Sequence, residues 1–206
     1  MEFRNYNIHE VVTFRKTTEK FGGLSNMAAG YGVVVNNVII PSAEHLYQAM
    51  RYPHYPQIQN EIISQVSPMT AKMISKKYYK YSRPDWDFVR IKIMRWVLEI
   101  KLSQNWDKFN ELLLTTENKA IVEFTYKDKV WGAVQEGNHL VGINALGRLL
   151  MELREKYTLT NTKPLCVNPL EIQLFNLYSQ PIDVVCNDIL NKEIYYSDIY
   201  ELEELY

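Results

Sequence analysis

The strongest constraint on the fold is a run of apolar residues at helical spacing in the middle of the chain. Apolar side chains recur every three or four residues at Val89, Ile93, Trp96 and Ile100. At this spacing they share one face of a helix, and a face of this length is large enough to organise a core. The sequence therefore predicts a long core helix over residues 86–103.

Shorter patterns on both sides of this segment predict a mixture of helices and strands. Further helices are predicted to begin at Ser42, to cover 57–65, 68–79 and 105–114, and to follow a last N-cap at Asn144. Strands are predicted over 11–14 and 121–126, and a hairpin over 31–40 turns at Asn36-Asn37. These elements together predict a helix-rich α+β domain.

The length and composition of the chain fit one domain with a substantial core. Of its 206 residues, 47% are hydrophobic and 23% are charged, as in soluble globular proteins. No apolar run approaches the roughly 20 residues of a membrane span, and the N-terminal sequence lacks the apolar core of a signal peptide. Cys166 and Cys186 have no metal-ligand spacing and offer no disulfide framework. We therefore expect a cytoplasmic protein without membrane segment, disulfide or metal.

The net charge of −1 conceals an uneven distribution of charged residues. Residues 157–206 carry two lysines against eight acidic residues, whereas residues 66–108 hold ten basic residues and four acidic ones. A basic body with an acidic tail is typical of a protein that binds an anion such as phosphate or nucleic acid, with the tail shielding the site. A solvated helical surface explains the same charges, so both interpretations stay open at this point.

A polar face is predicted on the helix that begins at Ser42. Glu44, Gln48 and Arg51 lie at positions i, i+4 and i+7, so they point to the same side of the helix. A carboxylate, an amide and a cation in this arrangement suit a polar cleft, but they also suit a solvated surface. The loop before the helix contains Gly22-Gly23, which permits either a plain turn or a close approach of the backbone to a ligand.

Several familiar site motifs are absent from the sequence. It contains no GxGxxG, Walker, HExxH or GxSxG pattern, which removes support for nucleotide-binding folds, zinc proteases and serine hydrolases of the common types. The four histidines are scattered, and none has another metal ligand at suitable spacing. Residue patterns alone therefore predict an α+β domain suited to an anionic ligand, without naming a reaction.

The order of several short motifs resembles the NADAR family, also called the YbiA-like family. The matching segments lie within roughly residues 11–156 and are FGGLSNM (21–27), PSAEHLYQAMR (41–51), SPMTAK (67–72), RPDWDFVRIKIMRW (83–96), LLLTTENKAIVE (112–123), DKVWG (128–132) and GINALGRLLMELR (142–154). The resemblance implies a compact, helix-rich α+β domain of the YbiA-like type with a small β-sheet over residues 1–157. Residues 158–206 are predicted to form a C-terminal extension that packs on this body and has an acidic end.

The resemblance implies that the chain cleaves N-glycosidic bonds to ribose without a metal or cofactor. One branch of the family removes ADP-ribose from modified guanine bases in nucleic acid and so opposes ADP-ribosyltransferase toxins. Another branch cleaves phosphorylated intermediates of riboflavin biosynthesis. The basic segment 66–108 and the abundant aromatic residues favour the first activity, on ADP-ribosylated DNA or RNA. The small-molecule activity and a non-catalytic module that binds ADP-ribose or NAD stay open as alternatives.

The resemblance also implies roles for individual residues. Breaking the C1′–N bond builds oxocarbenium character on the ribose, which a carboxylate stabilises while a second group activates water or protonates the leaving base. Glu44 is the first candidate for this carboxylate and Asp128 the second, as its partner or as an acceptor for a ribose hydroxyl. Catalytic roles are assigned to Glu44, Asp128 and Arg51, and substrate binding to Arg15, Gly23, Asn26, Gln48, Lys72, Trp86, Trp131, Gly132 and Asn144.

Within this set the residue types suggest separate tasks. Trp86 and Trp131 are expected to stack on a base. Asn144 and the backbone around it are expected to hold phosphate at a helix N-terminus. Arg51 marks a departure from the family, since many relatives have lysine seven residues after the helix glutamate. Arginine cannot form a Schiff base, so a mechanism with an amine at this position is in doubt, and Lys72 is the alternative amine.

Overall fold

The computed structural model describes residues 2–187, in which five α-helices and eleven short strands accompany one long central helix. The helices are α1 (Ala43–Ala49), α2 (Pro56–Ile63), α3 (Pro68–Lys77), α4 (Trp86–Gln104), α5 (Trp106–Leu114) and α6 (Ala145–Leu153). The strands are β1 (Arg4–Asn7), β2 (Val11–Phe14), β3 (Val33–Val35), β4 (Val38–Ile40), β5 (Ala120–Glu123), β6 (Val134–Glu136), β7 (His139–Gly142), β8 (Cys166–Val167), β9 (Asn176–Leu177), β10 (Gln180–Pro181) and β11 (Val185–Cys186).

The predicted core helix is confirmed as α4, the longest element of the described chain. Ile93, Trp96 and Ile100 on its apolar face are at most 1% exposed. Helices α1, α5 and α6, the hairpin strand β3 and the C-terminal strands β8 and β11 all pack against it. Burial of these large side chains supplies much of the hydrophobic stabilisation, at about 1.5–3 kcal/mol for each one.

The strands form several small sheets. Strands β2 and β5 are parallel and joined through a register that sets Phe14 opposite Glu123. Strands β1, β7 and β6 form a three-stranded antiparallel sheet beside them. The β2–β5 pair carries the end of β5 to the centre of the molecule, where it meets the N-terminal part of α6.

Local signals in the sequence predict the ends of several elements correctly. Ser42 and Ser67 are confirmed as N-caps, because their hydroxyl oxygens accept hydrogen bonds from the backbone N–H groups of His45 and Met69. The predicted hairpin is confirmed as β3–β4, and both turn residues are in the left-handed region, with φ of 50° at Asn36 and 60° at Asn37.

Strands β1, β6 and β7 have no counterpart in the prediction. Strand β1 (RNYN) and strand β6 (VQE) are short and largely exposed, so their sequences lack the apolar alternation that marks a strand. Residues 137 and 138 form the turn of the hairpin that joins β6 to β7. Of the predicted strand over 121–126, the structure has β5 (Ala120–Glu123), after which Phe124 continues as an isolated bridge to Ala133.

The described part of the extension packs on the body of the protein. Val167, Phe175 and Ile182 are buried in the main core, and the ring of Phe175 lies 4.7 Å from the ring of Trp96 in an edge-to-face arrangement. The predicted acidic end of the chain lies outside the described residues. The division of the chain at residue 157 stays a prediction.

The prediction that the chain lacks a disulfide is wrong. Cys166 and Cys186 are bonded to each other, because strands β8 and β11 pair in a register that sets the two residues directly opposite. Each of these strands has only two residues, which is too short to recognise from sequence. Among residues 2–187 no helix is both long and apolar enough to cross a membrane.

Candidate active site

A cavity of about 610 Å³ opens between α1, α3, the start of α4 and the loops that flank β5. It is lined by Arg15, Ser25, Asn26, Met27, Glu44, Tyr47, Gln48, Arg51, Lys72, Tyr79, Trp86, Asp87, Arg90, Met94, Glu123, Phe124, Thr125, Tyr126, Asp128, Val130, Trp131 and Leu146. The lining thus combines carboxylates, cations and aromatic rings from segments that are distant in the sequence.

Glu44 is held in the cavity by its helix and by a neighbouring loop. It lies in the first turn of α1, is 6% exposed, and its backbone N–H donates to the carbonyl oxygen of Asn26 over 3.1 Å. The side-chain amide of Gln48, one turn later, donates to Oε1 of Glu44 over 2.8 Å. Burial raises the pKa of Glu44, whereas the positive charge of Lys72 and the hydrogen bond from Gln48 lower it. The predicted polar face of α1 is therefore a cavity wall.

Glu123 lines the same cavity from the end of β5, and sequence analysis did not single it out. The pKa of its carboxyl is raised to about 7, chiefly by burial and to a smaller extent by the charges of Asp128 and Glu44, while the charge of Lys72 acts in the opposite direction. The sequence signal that could have identified Glu123 is an acidic residue at the end of an apolar strand, within the motif LLLTTENKAIVE. A carboxyl with a pKa near neutrality in a cleft is a candidate proton donor or acceptor.

Asn144 fixes the backbone of Glu123, and its predicted role as a side-chain N-cap is wrong. The residue is left-handed, with φ of 52°, and its side chain makes no capping bond. Its Oδ1 accepts from the N–H of Glu123 over 3.1 Å, and its Nδ2 donates to the carbonyl oxygen of Ile121 over 2.8 Å. The amide thus pairs with β5 as a neighbouring strand would. Gly147 permits this close packing, since a Cβ there would lie 2.1 Å from the Ile121 oxygen.

Asp128 lies at the exposed side of the cavity and organises a turn. Its Oδ1 accepts from the backbone N–H groups of Val130 and Trp131, each over 2.9 Å. These two bonds fix the position of the Trp131 backbone. Neither of them involves Oδ2 of Asp128. The carboxylate is also close enough to raise the pKa of Glu123.

Aromatic rings form one wall of the cavity. The ring of Tyr47 lies 5.1 Å from that of Trp86 and 5.5 Å from that of Trp131, so the two predicted stacking residues meet through it. Burial, with the nearby charge of Glu44 as a smaller cause, raises the pKa of the Tyr47 phenol.

Arg51 completes this wall through stacking contacts. Its guanidinium carbon lies 4.6 Å from the centre of the Tyr79 ring and 5.0 Å from that of Trp86, and its Nε donates to the hydroxyl of Ser82 over 2.7 Å. These contacts use the planar guanidinium, which lysine lacks. Arg51 is therefore a fixed arginine on the cavity wall.

Two further polar groups reach the cavity. The guanidinium carbon of Arg15 lies 4.1 Å from the ring centre of Tyr126, and both residues are exposed. Asn26 is 4% exposed, and its Nδ2 contacts the sulfur of Met94 at 2.9 Å. No hydrogen bond reaches the buried Oδ1 of Asn26 from any group in residues 2–187. This oxygen is therefore available to a donor on a ligand.

Gly23, Gly132 and Asn144, all predicted to bind substrate, lie outside the cavity lining. The carbonyl oxygen of Gly23 accepts from Nζ of Lys101 over 2.7 Å. Gly132 packs so closely on β5 that a Cβ would lie 2.3 Å from the Glu123 oxygen. In the structure these residues support the loops and the strand around the cavity. All the other predicted site residues line it.

The fold and the cavity define a class of protein, an α+β domain with acidic, cationic and aromatic groups gathered in one pocket. The chain belongs to the NADAR domain family, whose model matches residues 13–158. It is 35% identical over 146 residues to the N-glycosidase YbiA of Escherichia coli (strain K12), a match that covers 71% of this chain and 88% of that protein. The predicted family is confirmed.

Two further comparisons bear on fold and on related activities. The NMR structure of E. coli YbiA matches with a TM-score of 0.64 and 32% identity, over 75% of this chain and 88% of that one. This match confirms the predicted helix-rich α+β fold. The riboflavin biosynthesis protein VVA0006 of Vibrio vulnificus (strain YJ016) is 29% identical over 155 residues, which are 75% of this chain but 41% of that protein.

The raised pKa of Glu123 predicts a pH-dependent effect of its replacement on stability. Between its usual pKa of 4.5 and about 7, the folded protein keeps a proton that the unfolded chain releases, so stability falls as pH rises through this window and levels above it. Glu123→Gln removes the buried charge. Its gain in the free energy of unfolding should be about 1–2 kcal/mol larger at pH 8 than at pH 5, measured by urea titration. The exposed Glu111→Gln is the control, and equal effects at both pH values would contradict the assignment.

Proposed function

We propose that this chain is an N-glycosidase that removes ADP-ribose from ADP-ribosylated guanine in nucleic acid. The observation that carries the proposal is the presence of two carboxyl groups, the buried Glu44 and the half-buried Glu123, on different elements of one cavity, with Lys72 near enough to lower the pKa of both. On this proposal the reaction reverses that of an ADP-ribosyltransferase, and a toxin of that class is the expected functional counterpart.

The two carboxyl groups suit the two tasks of the reaction. The C1″–N bond breaks with its electron pair going to the guanine nitrogen, and Glu123 gives that nitrogen its proton. Glu44, which accepts a hydrogen bond from Gln48 and has Lys72 as counter-charge, has the role of stabilising the positive charge on the ribose. Water adds to C1″ and its proton returns to the carboxylates, so the net change is addition of one water molecule across the bond.

The remaining lining suits an ADP-ribosyl group. The cavity volume lies within the range of about 300–1,000 Å³ that is usual for small-molecule sites. Arg51, Lys72 and Arg90 supply positive charge for a diphosphate. The unpartnered Oδ1 of Asn26 suits a ribose hydroxyl, and the aromatic wall suits a base.

The rim of the cavity favours a substrate that extends beyond it. Tyr126 is 65% exposed and has Arg15 stacked on its ring, and together they offer a flat cationic surface where the cavity opens to solvent. Such surfaces bind unstacked bases and their phosphates. This feature supports a nucleic acid over a small phosphoribosyl compound.

A second candidate is an N-glycosidase of phosphorylated intermediates of riboflavin biosynthesis. The similarity to a protein named for riboflavin biosynthesis favours it, since the match to that protein extends over 155 residues, which are 75% of this chain. The same carboxyl pair would cleave the smaller glycoside, and the rim would then be unused.

Glu44→Gln should separate these functions when two substrates are compared. The wild-type protein should release ADP-ribose from an oligonucleotide ADP-ribosylated at guanine, and Glu44→Gln should slow this release by about 100-fold or more because the ribose cation loses its counter-charge. Release is measured by chromatography with mass detection, and Glu111→Gln should retain full activity. Turnover of only the phosphoribosyl intermediates would establish the second candidate. Binding of ADP-ribose without turnover of either substrate would leave a binding module.

Lys72 tests whether the chemistry depends on charge or on an amine. In the proposed mechanism Lys72 acts as a cation, so Lys72→Arg should keep release within about tenfold of wild type, whereas Lys72→Met should lose about 100-fold. Borohydride added during turnover should leave the protein mass unchanged. An ADP-ribosyl adduct trapped on the wild-type protein but absent from Lys72→Arg would replace this mechanism with a Schiff base.

A further inference from the structure

The C-terminal extension touches the body of the protein close to the wall of the cavity. Residues 159–187 lie beyond the segment that the family model matches. Buried polar side chains of the body hold this extension by its backbone, and they fall into two groups. Gln59 and Arg83 contact residues 173–178, whereas Ser103 on α4 donates from Oγ to the carbonyl oxygen of Pro164 over 2.6 Å.

Arg83 links the extension to the cavity wall. It is 4% exposed, and its NH2 donates to the carbonyl oxygen of Gln173 over 2.6 Å. The same guanidinium holds the carboxylate of Asp85 through two bonds of 2.6 and 3.0 Å. Its backbone N–H donates to the carbonyl oxygen of Arg51 over 2.9 Å, and its own carbonyl accepts from the N–H of Trp86 over 3.2 Å. Arg83 therefore joins the extension to Arg51 and Trp86, whose side chains stack on each other.

The acceptors that the extension offers to Arg83 are themselves fixed. Gln59 is fully buried, and its amide donates to the carbonyl of Asn176 and accepts from the N–H of Tyr178, over 3.0 and 2.8 Å. Leu174, whose carbonyl is a second, longer acceptor for Arg83 at 3.4 Å, has φ of 51°. A leucine in this left-handed conformation costs about 1–2 kcal/mol and persists only where its surroundings hold it.

We propose that the extension positions the substrate-binding wall, with Arg83 as the positioning residue that transmits its support to Arg51 and Trp86. Because the guanidinium bonds to Gln173 on one side and to Asp85 on the other, the turn before α4 is held in one place. The inference rests on the proposed function only in treating this wall as a substrate contact. Loosening the wall should weaken substrate binding and leave the carboxyl chemistry of α1 and β5 nearly intact.

Arg83→Lys tests the proposal, because a single ammonium cannot reproduce the planar set of bonds. The position of the wall is read by fluorine NMR of protein labelled with 5-fluorotryptophan, whose Trp86 resonance is assigned with Trp86→Phe. We expect Arg83→Lys to shift or broaden that resonance, to raise KM for the ADP-ribosylated oligonucleotide about tenfold, and to change kcat by less than about twofold. Asp85→Asn, at a partly exposed side chain, should move the same resonance in the same direction by a smaller amount.

Ser103→Ala is the matched control for a purely structural role. Ser103 also holds the extension through one buried bond, but it lies about 25 Å from Trp86 along α4. Ser103→Ala should lose about as much thermal stability as Arg83→Lys but leave the Trp86 resonance and KM unchanged. An unchanged Trp86 resonance in the folded Arg83→Lys and Asp85→Asn proteins, or an equal change in Ser103→Ala, would overturn the inference. Absence of turnover with any N-glycoside would refute the proposed function but not this inference, since the Trp86 resonance still reports the position of the cavity wall.

Discussion

The organising constraint in this protein is the withdrawal of two carboxyl groups from water, the buried Glu44 and the half-buried Glu123, in one cavity. Removing a carboxylate from water is costly unless charge or hydrogen bonds compensate it, so the fold has to supply both. It supplies Gln48 one turn along α1 and the charge of Lys72 from α3. This compensation is incomplete, because the pKa values of both groups stay raised. As a result, the carboxyl of Glu123 can carry a proton near neutral pH.

The parts of this arrangement that follow from short-range patterns are predictable from sequence. The polar face of α1, its cap at Ser42 and the length of α4 depend on residues within a few turns of one another. Glu123 and Asn144 differ, because their positions depend on the parallel pairing of β2 with β5 and on a left-handed residue between β7 and α6. Asparagine before a helix usually signals a cap, and nothing local distinguishes the amide that instead pairs with a strand.

The Cys166–Cys186 disulfide escaped prediction for a related reason, since it depends on two strands of two residues each. The same extension supplies the carbonyl groups that Arg83 holds behind the cavity wall. A segment outside the family match thus contributes to the core through Phe175 and to the surroundings of the site through Arg83. The aromatic wall, on which the guanidinium of Arg51 stacks, is supported from this side.

The central claim is that Glu123 donates the proton to the leaving base while Glu44 stabilises the positive charge on the ribose. The most direct measurement is the pH dependence of kcat/KM on the guanine-ADP-ribosylated oligonucleotide, for the wild-type protein and for Glu123→Gln. Because burial raises the pKa of Glu123 to about 7 in the free protein, the wild-type kcat/KM should fall as pH rises through that value, and Glu123→Gln should be slower and show no such decline. A decline near pH 7 that persists unchanged in Glu123→Gln would contradict the account.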